Sequence, residues 1–209
     1  METKATRILK LLKKKYPRTK IALKSRTPIQ LLVSVILSAQ CTDKRVNIVT
    51  ATLFKKYKTV ADFANADLKT FQQEIRSTGF YRNKAKNVIG AANMIQKDFN
   101  GNIPNTMEDI LKLPGVARKT ANIVLGSVYG IVEGIAIDTH CIRPTQRWGL
   151  TKNKDAVKIE RDLMKIIPKK DWDKFSLMTI QHGRQVCYAR KPNCSGCFLN
   201  KICPSAFKV

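Results

Sequence analysis

The chain has 209 residues, 44% of them hydrophobic, with 39 Lys+Arg against 15 Asp+Glu and a formal net charge of +24. Such a length and apolar content can bury a sizeable core, in one large domain or two small ones. Basic residues run from Lys4 to Lys208, which excludes a basic tail and makes a polyanion, nucleic acid above all, the favoured partner. A membrane surface is disfavoured, because no helix pairs a basic face with an exposed aromatic one.

At the start of the chain, Met1-Glu2-Thr3-Lys4 leads into charged amphipathic sequence without the apolar core of a signal peptide. A reducing, cytoplasmic setting is expected. Residues 5–15 place Ile8, Leu11 and Leu12 on one helical face, and Tyr16-Pro17 ends the run. Thr27-Pro28 reads as an N-cap with proline at the first helical position. The helix it opens is apolar nearly all round from Ile29 to Leu37, the pattern of a central buried element. That run is far too short to span a bilayer. Further helical periodicities are Val46/Val49/Leu53, Leu68/Phe71/Ile75 and Val88/Ala91/Ala92/Ile95, with Thr42, Asp67 and Asn83 as their caps. Phe80 or Tyr81, after Gly79, reads either as an apolar wedge in a loop or as core packing. Helices also fit 106–111, 118–127, 155–167 and 172–186. Only Ile135-Ala136-Ile137 looks strand-like, and it is too short and isolated to make a sheet. The fold class is all-α, with a boundary near residue 130 suggested by Tyr129-Gly130 and Gly134.

Two motifs carry chemistry. Leu113-Pro114-Gly115-Val116-Ala117-Arg118 lies between two helical segments, with Pro-Gly making the turn: a helix-hairpin-helix. Its second helix opens with backbone N–H groups that can hold a DNA phosphate without reading sequence. Near the end of the chain, Cys187, Cys194, Cys197 and Cys203 follow the spacing C-x6-C-x2-C-x5-C. Four thiolates so close together in a reducing setting suit a soft metal. Structural zinc usually shows two close ligand pairs; one C-x-x-C flanked by single cysteines suits a 4Fe–4S cluster better. Cys41 and Cys141 read as buried apolar residues, and His140 and His182 as structural hydrogen-bonders.

Those cysteines, the hairpin from Leu113 to Asn122, Ile137-Asp138-Thr139-His140 and Ser38-Ala39-Gln40 together resemble the endonuclease III family, over about residues 5 to 205. The resemblance implies a base-excision repair DNA glycosylase with abasic-site lyase activity, acting as a monomer on double-stranded DNA with damaged bases or abasic sites. It implies a 4Fe–4S cluster on the four cysteines, Lys119 as nucleophile and Asp138 as catalytic carboxylate. It also implies a DNA cleft between two lobes, one spanning 22–131 and the other joining 1–21 to 132–209. Gln40 matches a position that fills the gap left by an extruded base, but reads equally as a polar residue after a helix. Gly115, Val116, Ala117 and Arg118 are phosphate contacts by this likeness, and Arg190 and Lys191 between the first two cysteines are further candidates.

The chemistry of those residues agrees with such roles. Breaking an N-glycosidic bond builds positive charge on the sugar, which an ionised carboxylate stabilises. An N-cap position would surround Asp138 with N–H donors. A neutral lysine amine can attack C1′ and form a Schiff base, which calls for a desolvated, cation-rich pocket around Lys119. Base extrusion is required because the reacting atoms are inaccessible inside a duplex. Two positions depart from the family pattern: Ala117 stands where glycine is usual, and Pro144 should kink or shorten the helix after Asp138. The alternatives are a monofunctional mismatch glycosylase, a non-enzymatic hairpin DNA-binding module, and a zinc-dependent RNA-associated protein. Lys119 argues against the first of these.

Overall fold

Threonine and aspartate decide where most helices start. The computed structural model describes residues 2–209, and in it Thr3, Thr27, Thr42 and Thr59 open α1 (Lys4–Lys15), α2 (Pro28–Leu37), α3 (Asp43–Lys56) and α4 (Val60–Ala64). Asp67 opens α5 (Leu68–Glu74). After α6 (Tyr81–Asp98), Thr106 opens α7 (Met107–Ile110). Beyond α8 (Arg118–Tyr129), Asp138 opens α9 (Thr139–Arg147) and Asp155 opens α10 (Ala156–Ile166); α11 (Trp172–Gln185) is the last. Each capping oxygen accepts a backbone N–H that the first helical turn leaves without an internal partner. No strand occurs among the described residues, so the class is all-α. Ile135-Ala136-Ile137 is buried irregular chain, its middle carbonyl accepting a 2.6 Å bond from Ser176 of α11.

Two sequence expectations need correction, and α4 is a helix that the sequence periodicity does not show. α6 starts at Tyr81, with Asn83 inside it, and its N-cap is Phe80 in the left-handed region at φ 47°. α4 carries too few residues for periodicity to reveal; its sign is the capping box of Thr59 and Asp62. In α1 the buried stripe is Ala5, Ile8, Leu9 and Leu12, with Leu11 only half-buried.

The chain forms two compact units, Ile21–Ile131 and Met1–Lys20 with Val132–Val209. In the first, α2 is buried from Ile29 to Leu37. An aromatic cluster in the same core stacks Tyr57 on Phe63 at 5.4 Å, with Phe71 edge-on to both. The second unit packs Ile8 and Leu12 of α1 with Trp148, Leu163 and Phe175. No helix among the described residues is long and apolar enough to cross a membrane.

Pro144 does not end α9, which continues to Arg147. Proline removes the N–H that would have bonded the His140 carbonyl four residues back. The next turn is reinforced by Thr145, whose hydroxyl bonds the carbonyls of Cys141 at 2.8 Å and Ile142 at 2.9 Å. Gly183 of α11 packs against the same carbonyl: a Cβ there would sit 2.3 Å from the His140 oxygen. Gly183→Ala should therefore force the two helices apart and lower stability by about 1–3 kcal/mol, read as a fall in the thermal midpoint. An unchanged midpoint would show that α9 and α11 can separate at no cost.

Candidate functional site

Leu113 to Val116 form a β-turn closed by a 3.1 Å bond from the Val116 N–H to the Leu113 carbonyl. Pro114 presets the second position, and Gly115 at φ 77° takes the positive value that the third position of such a turn demands. There is no room for a side chain there either, since a Cβ would lie 2.8 Å from Asn87 of α6. Val116 is buried beneath the turn while Gly115 and Ala117 are exposed. Ala117 is the N-cap of α8 at φ −91°, ordinary extended backbone, so alanine fits where the family favours glycine. No side-chain cap closes the first turn of α8, and that turn begins with Arg118 and Lys119, both half-buried.

Asp138 is the N-cap of α9, as its place in the sequence led us to expect. Its Oδ1 accepts the backbone N–H groups of His140 and Cys141, each at 2.9 Å. The side chain is half-buried. Lys119 belongs to the unit of residues 21–131, Asp138 to the other.

The four C-terminal cysteines line one cavity in that other unit. No three His, Cys, Asp or Glu side chains among the described residues close on a point that could hold a single metal ion. Local turns set the loop: the Cys197 N–H bonds the Cys194 carbonyl at 3.2 Å, and the Cys203 N–H bonds Leu199 at 3.0 Å. Burial pushes the Cys197 and Cys203 thiols up, and the neighbouring thiolates add to it. Two arginines that sequence reasoning passed over hold this loop. Arg143 donates to the carbonyls of Cys187 and Gly183, both at 2.7 Å. Arg147 donates to Tyr188 and Ala189 carbonyls and reaches the Cys187 sulfur at 3.3 Å. Their spacing of four along α9 puts both on one face, the only sequence sign of a shared task.

His182 is fully buried, with Nδ1 3.0 Å from the Tyr16 hydroxyl and Nε2 3.6 Å from the Cys197 sulfur. That confirms a structural hydrogen-bonder. Burial lowers its pKa to about 4. Cys141 is buried as expected, whereas Cys41 is only half-buried, beside an exposed Gln40 at φ 52°. Phe80 is 64% exposed and so is not core packing; Tyr81 is half-buried against the core. Arg190 and Lys191 are exposed, the latter at φ 50°.

A tight Pro-Gly turn that opens a helix without a side-chain cap, in a chain of such positive charge, defines a helix-hairpin-helix protein. The HhH-GPD superfamily of base excision DNA repair proteins matches residues 33–169. Endonuclease III of Synechocystis sp. is 54% identical over 203 residues, 97% of this chain and 93% of the relative. Two solved structures, a non-covalent endonuclease III–DNA complex and a trapped endonuclease III–DNA covalent intermediate, share 40% identity and a TM-score of 0.93 with it. They cover 100% of this chain and 98% and 99% of their own. The chain belongs to the endonuclease III family.

Gly115→Ala tests the turn directly. A left-handed alanine costs about 1–3 kcal/mol and the Asn87 contact adds to it, so the thermal midpoint should fall clearly. Retention of the parent midpoint would mean that the turn has another accessible conformation.

Proposed function

We propose that this protein excises damaged, oxidised pyrimidines from double-stranded DNA and then cuts the abasic strand. The observation that carries the reading is the hairpin turn itself, with Lys119 in the first turn of the helix it opens. Backbone N–H groups at that turn suit a phosphate oxygen, and Lys119 on the same turn stands close to any sugar so held. A mismatch glycosylase without lyase chemistry has no use for an amine there.

In this reading the Lys119 Nζ attacks C1′ as the base departs with a proton. The C1′–O4′ bond of the resulting aminal then opens, O4′ taking up the proton shed by the amine, to give an iminium that makes the C2′ proton acidic. Loss of that proton breaks the C3′–O bond with the 3′ phosphate leaving, and water then releases the lysine. Asp138, its Oδ1 fixed by two N–H donors, supplies a preorganised negative charge toward the positive charge that grows on the sugar. A relative captured as a covalent DNA intermediate supports this chemistry. Gly115, Val116, Ala117 and Arg118 are the phosphate contacts, with Arg190 and Lys191 as further ones on the cysteine loop.

The four cysteines fit a 4Fe–4S cluster. A tetrahedral zinc would draw its sulfurs to about 3.8 Å from one another, given Zn–S bonds near 2.3 Å. Here all four thiols line one shared cavity, which suits a cube with one cysteine ligand per iron. The Arg147 guanidinium at the Cys187 sulfur offsets part of the negative charge of four thiolates. When bound, the cluster supplies the cross-link that fixes the loop bearing Arg190 and Lys191.

Two experiments test the reading. Lys119→Ala should bind an abasic duplex but lose borohydride trapping and strand cleavage. Asp138→Asn should lower base release by about 10²–10³, roughly 3–4 kcal/mol, with binding retained. A full-rate trapped adduct in Lys119→Ala would falsify the choice of nucleophile. Separately, purified protein should be brown with about four irons per chain, and Cys194→Ser should lose them. One tightly held zinc in a colourless protein would overturn the cluster.

A further inference from the structure

Lys84 is a buried charged residue that the chemistry above leaves without a task. Its side chain lies within α6 at 4% exposure, and its ammonium donates 2.8 Å hydrogen bonds to the carbonyls of Leu37 and Thr78. Burial pulls its pKa below the usual lysine value, with Cys41 the other titratable group acting on it. No carboxylate shares this position. A buried ammonium held by two carbonyls is a costly way to fill space, because an apolar side chain of similar volume avoids the desolvation. Stability alone does not explain it.

The two carbonyls it joins do offer an explanation. Leu37 is the last residue of α2, where unpaired carbonyls and the negative end of the helix dipole favour a cation. Three residues on stands Gln40, exposed and left-handed at φ 52°. Thr78 ends a single 3-10 turn, and two residues on stands Phe80, 64% exposed and left-handed at φ 47°. The backbone of Lys84 itself bonds the Phe80 carbonyl at 3.1 Å. Both oxygens are bonded to one nitrogen, so they lie no further apart than twice 2.8 Å. Two exposed side chains on unfavourable backbone, one polar and one apolar, are thus referred to a single buried point.

We infer that Lys84 is a positioning residue that presets Gln40 and Phe80 as a paired wedge for a duplex opened at an extruded nucleotide. Gln40 offers an amide to the edge of an unpaired base, and the phenyl ring of Phe80 a face on which a base can stack. Left-handed backbone at non-glycine residues costs about 1–3 kcal/mol each and persists where surroundings over-determine it. The ammonium bridge supplies that determination in the free protein, so wedge geometry is not assembled at the cost of binding energy. The inference rests on the proposed activity at abasic DNA.

The test uses the full-length holoprotein and a duplex carrying a tetrahydrofuran abasic analogue beside a 2-aminopurine. Insertion of the wedge unstacks the 2-aminopurine and raises its fluorescence on binding. Lys84→Met should bind this duplex yet show most of the fluorescence rise lost. It should also lower the ratio of abasic-site cleavage in duplex to that in single-stranded DNA by about tenfold, the scale of a misplaced positioning group. Lys84→Arg, which keeps the charge and donors, should recover part of both. In a Gln40→Ala/Phe80→Ala background, Lys84→Met should add less than about twofold, because coupled residues are not additive. An equal loss in both backgrounds, or a full fluorescence rise in Lys84→Met, would overturn the inference. So would a full rise in Gln40→Ala and Phe80→Ala, surface changes that do not depend on Lys84→Met folding. Absence of any trapped adduct with the parent protein on abasic DNA would instead sink the proposed activity.

Discussion

Every α-helix leaves four N–H groups at its start and four carbonyls at its end without internal partners, and the candidate chemistry of this chain is built on those groups. Asp138 and the first turn of α8, with Lys119, occupy two helix starts, one capped by a carboxylate and one with no side-chain cap. The difference is functional in the proposed reading. A capped start immobilises the cap's own carboxylate, whereas a start without a side-chain cap suits an anion from outside. At a helix end, the Leu37 carbonyl holds the buried ammonium of Lys84. Where helices begin and end therefore fixes which polar groups face a ligand.

The same constraint bears on the charge. Several of the fifteen acidic residues are occupied at helix starts: Asp62, Asp67, Asp138 and Asp155 all accept backbone N–H bonds. Asp62 and Asp67 are held below the usual carboxylate range chiefly by hydrogen bonds, from the backbone of Lys58 for the first and from Thr70 for the second. Acids used in this way remain negative, but they serve the backbone and do little to pair the thirty-nine basic side chains. A positive field is then left for a polyanion, in keeping with a ligand whose phosphates carry the affinity.

Sequence legibility followed the same lines. Helices with a threonine or aspartate cap and an apolar stripe could be placed closely, α2 over its whole length and α3 at its start. α6 could not, because its cap is a left-handed Phe80 and no side-chain signal marks it. Lys119, Asp138 and the cysteines stood out by motif. Arg143, Arg147 and Lys84 did not, since each acts on carbonyls of residues distant in sequence, and a carbonyl leaves no mark in the amino-acid code. Ala117 and Pro144 looked like liabilities for a similar reason. The φ of −91° at Ala117 and the support of Thr145 after Pro144 exist only in three dimensions.

Gly183 and Pro144 show how one departure can be absorbed by a neighbour. Proline frees α9 from one internal bond at His140, and glycine on α11 lets the backbone of that turn come close. The close packing of α9 against α11 is what brings Arg143 within reach of the Gly183 and Cys187 carbonyls. Cys187 lies two residues beyond the end of α11, so the approach of the two helices also sets where the first cysteine of the loop stands. Asp138 caps the other end of α9. One short helix thus carries the carboxylate at its start and the arginines that hold the cysteine loop along its length, and a shift of its axis would move both.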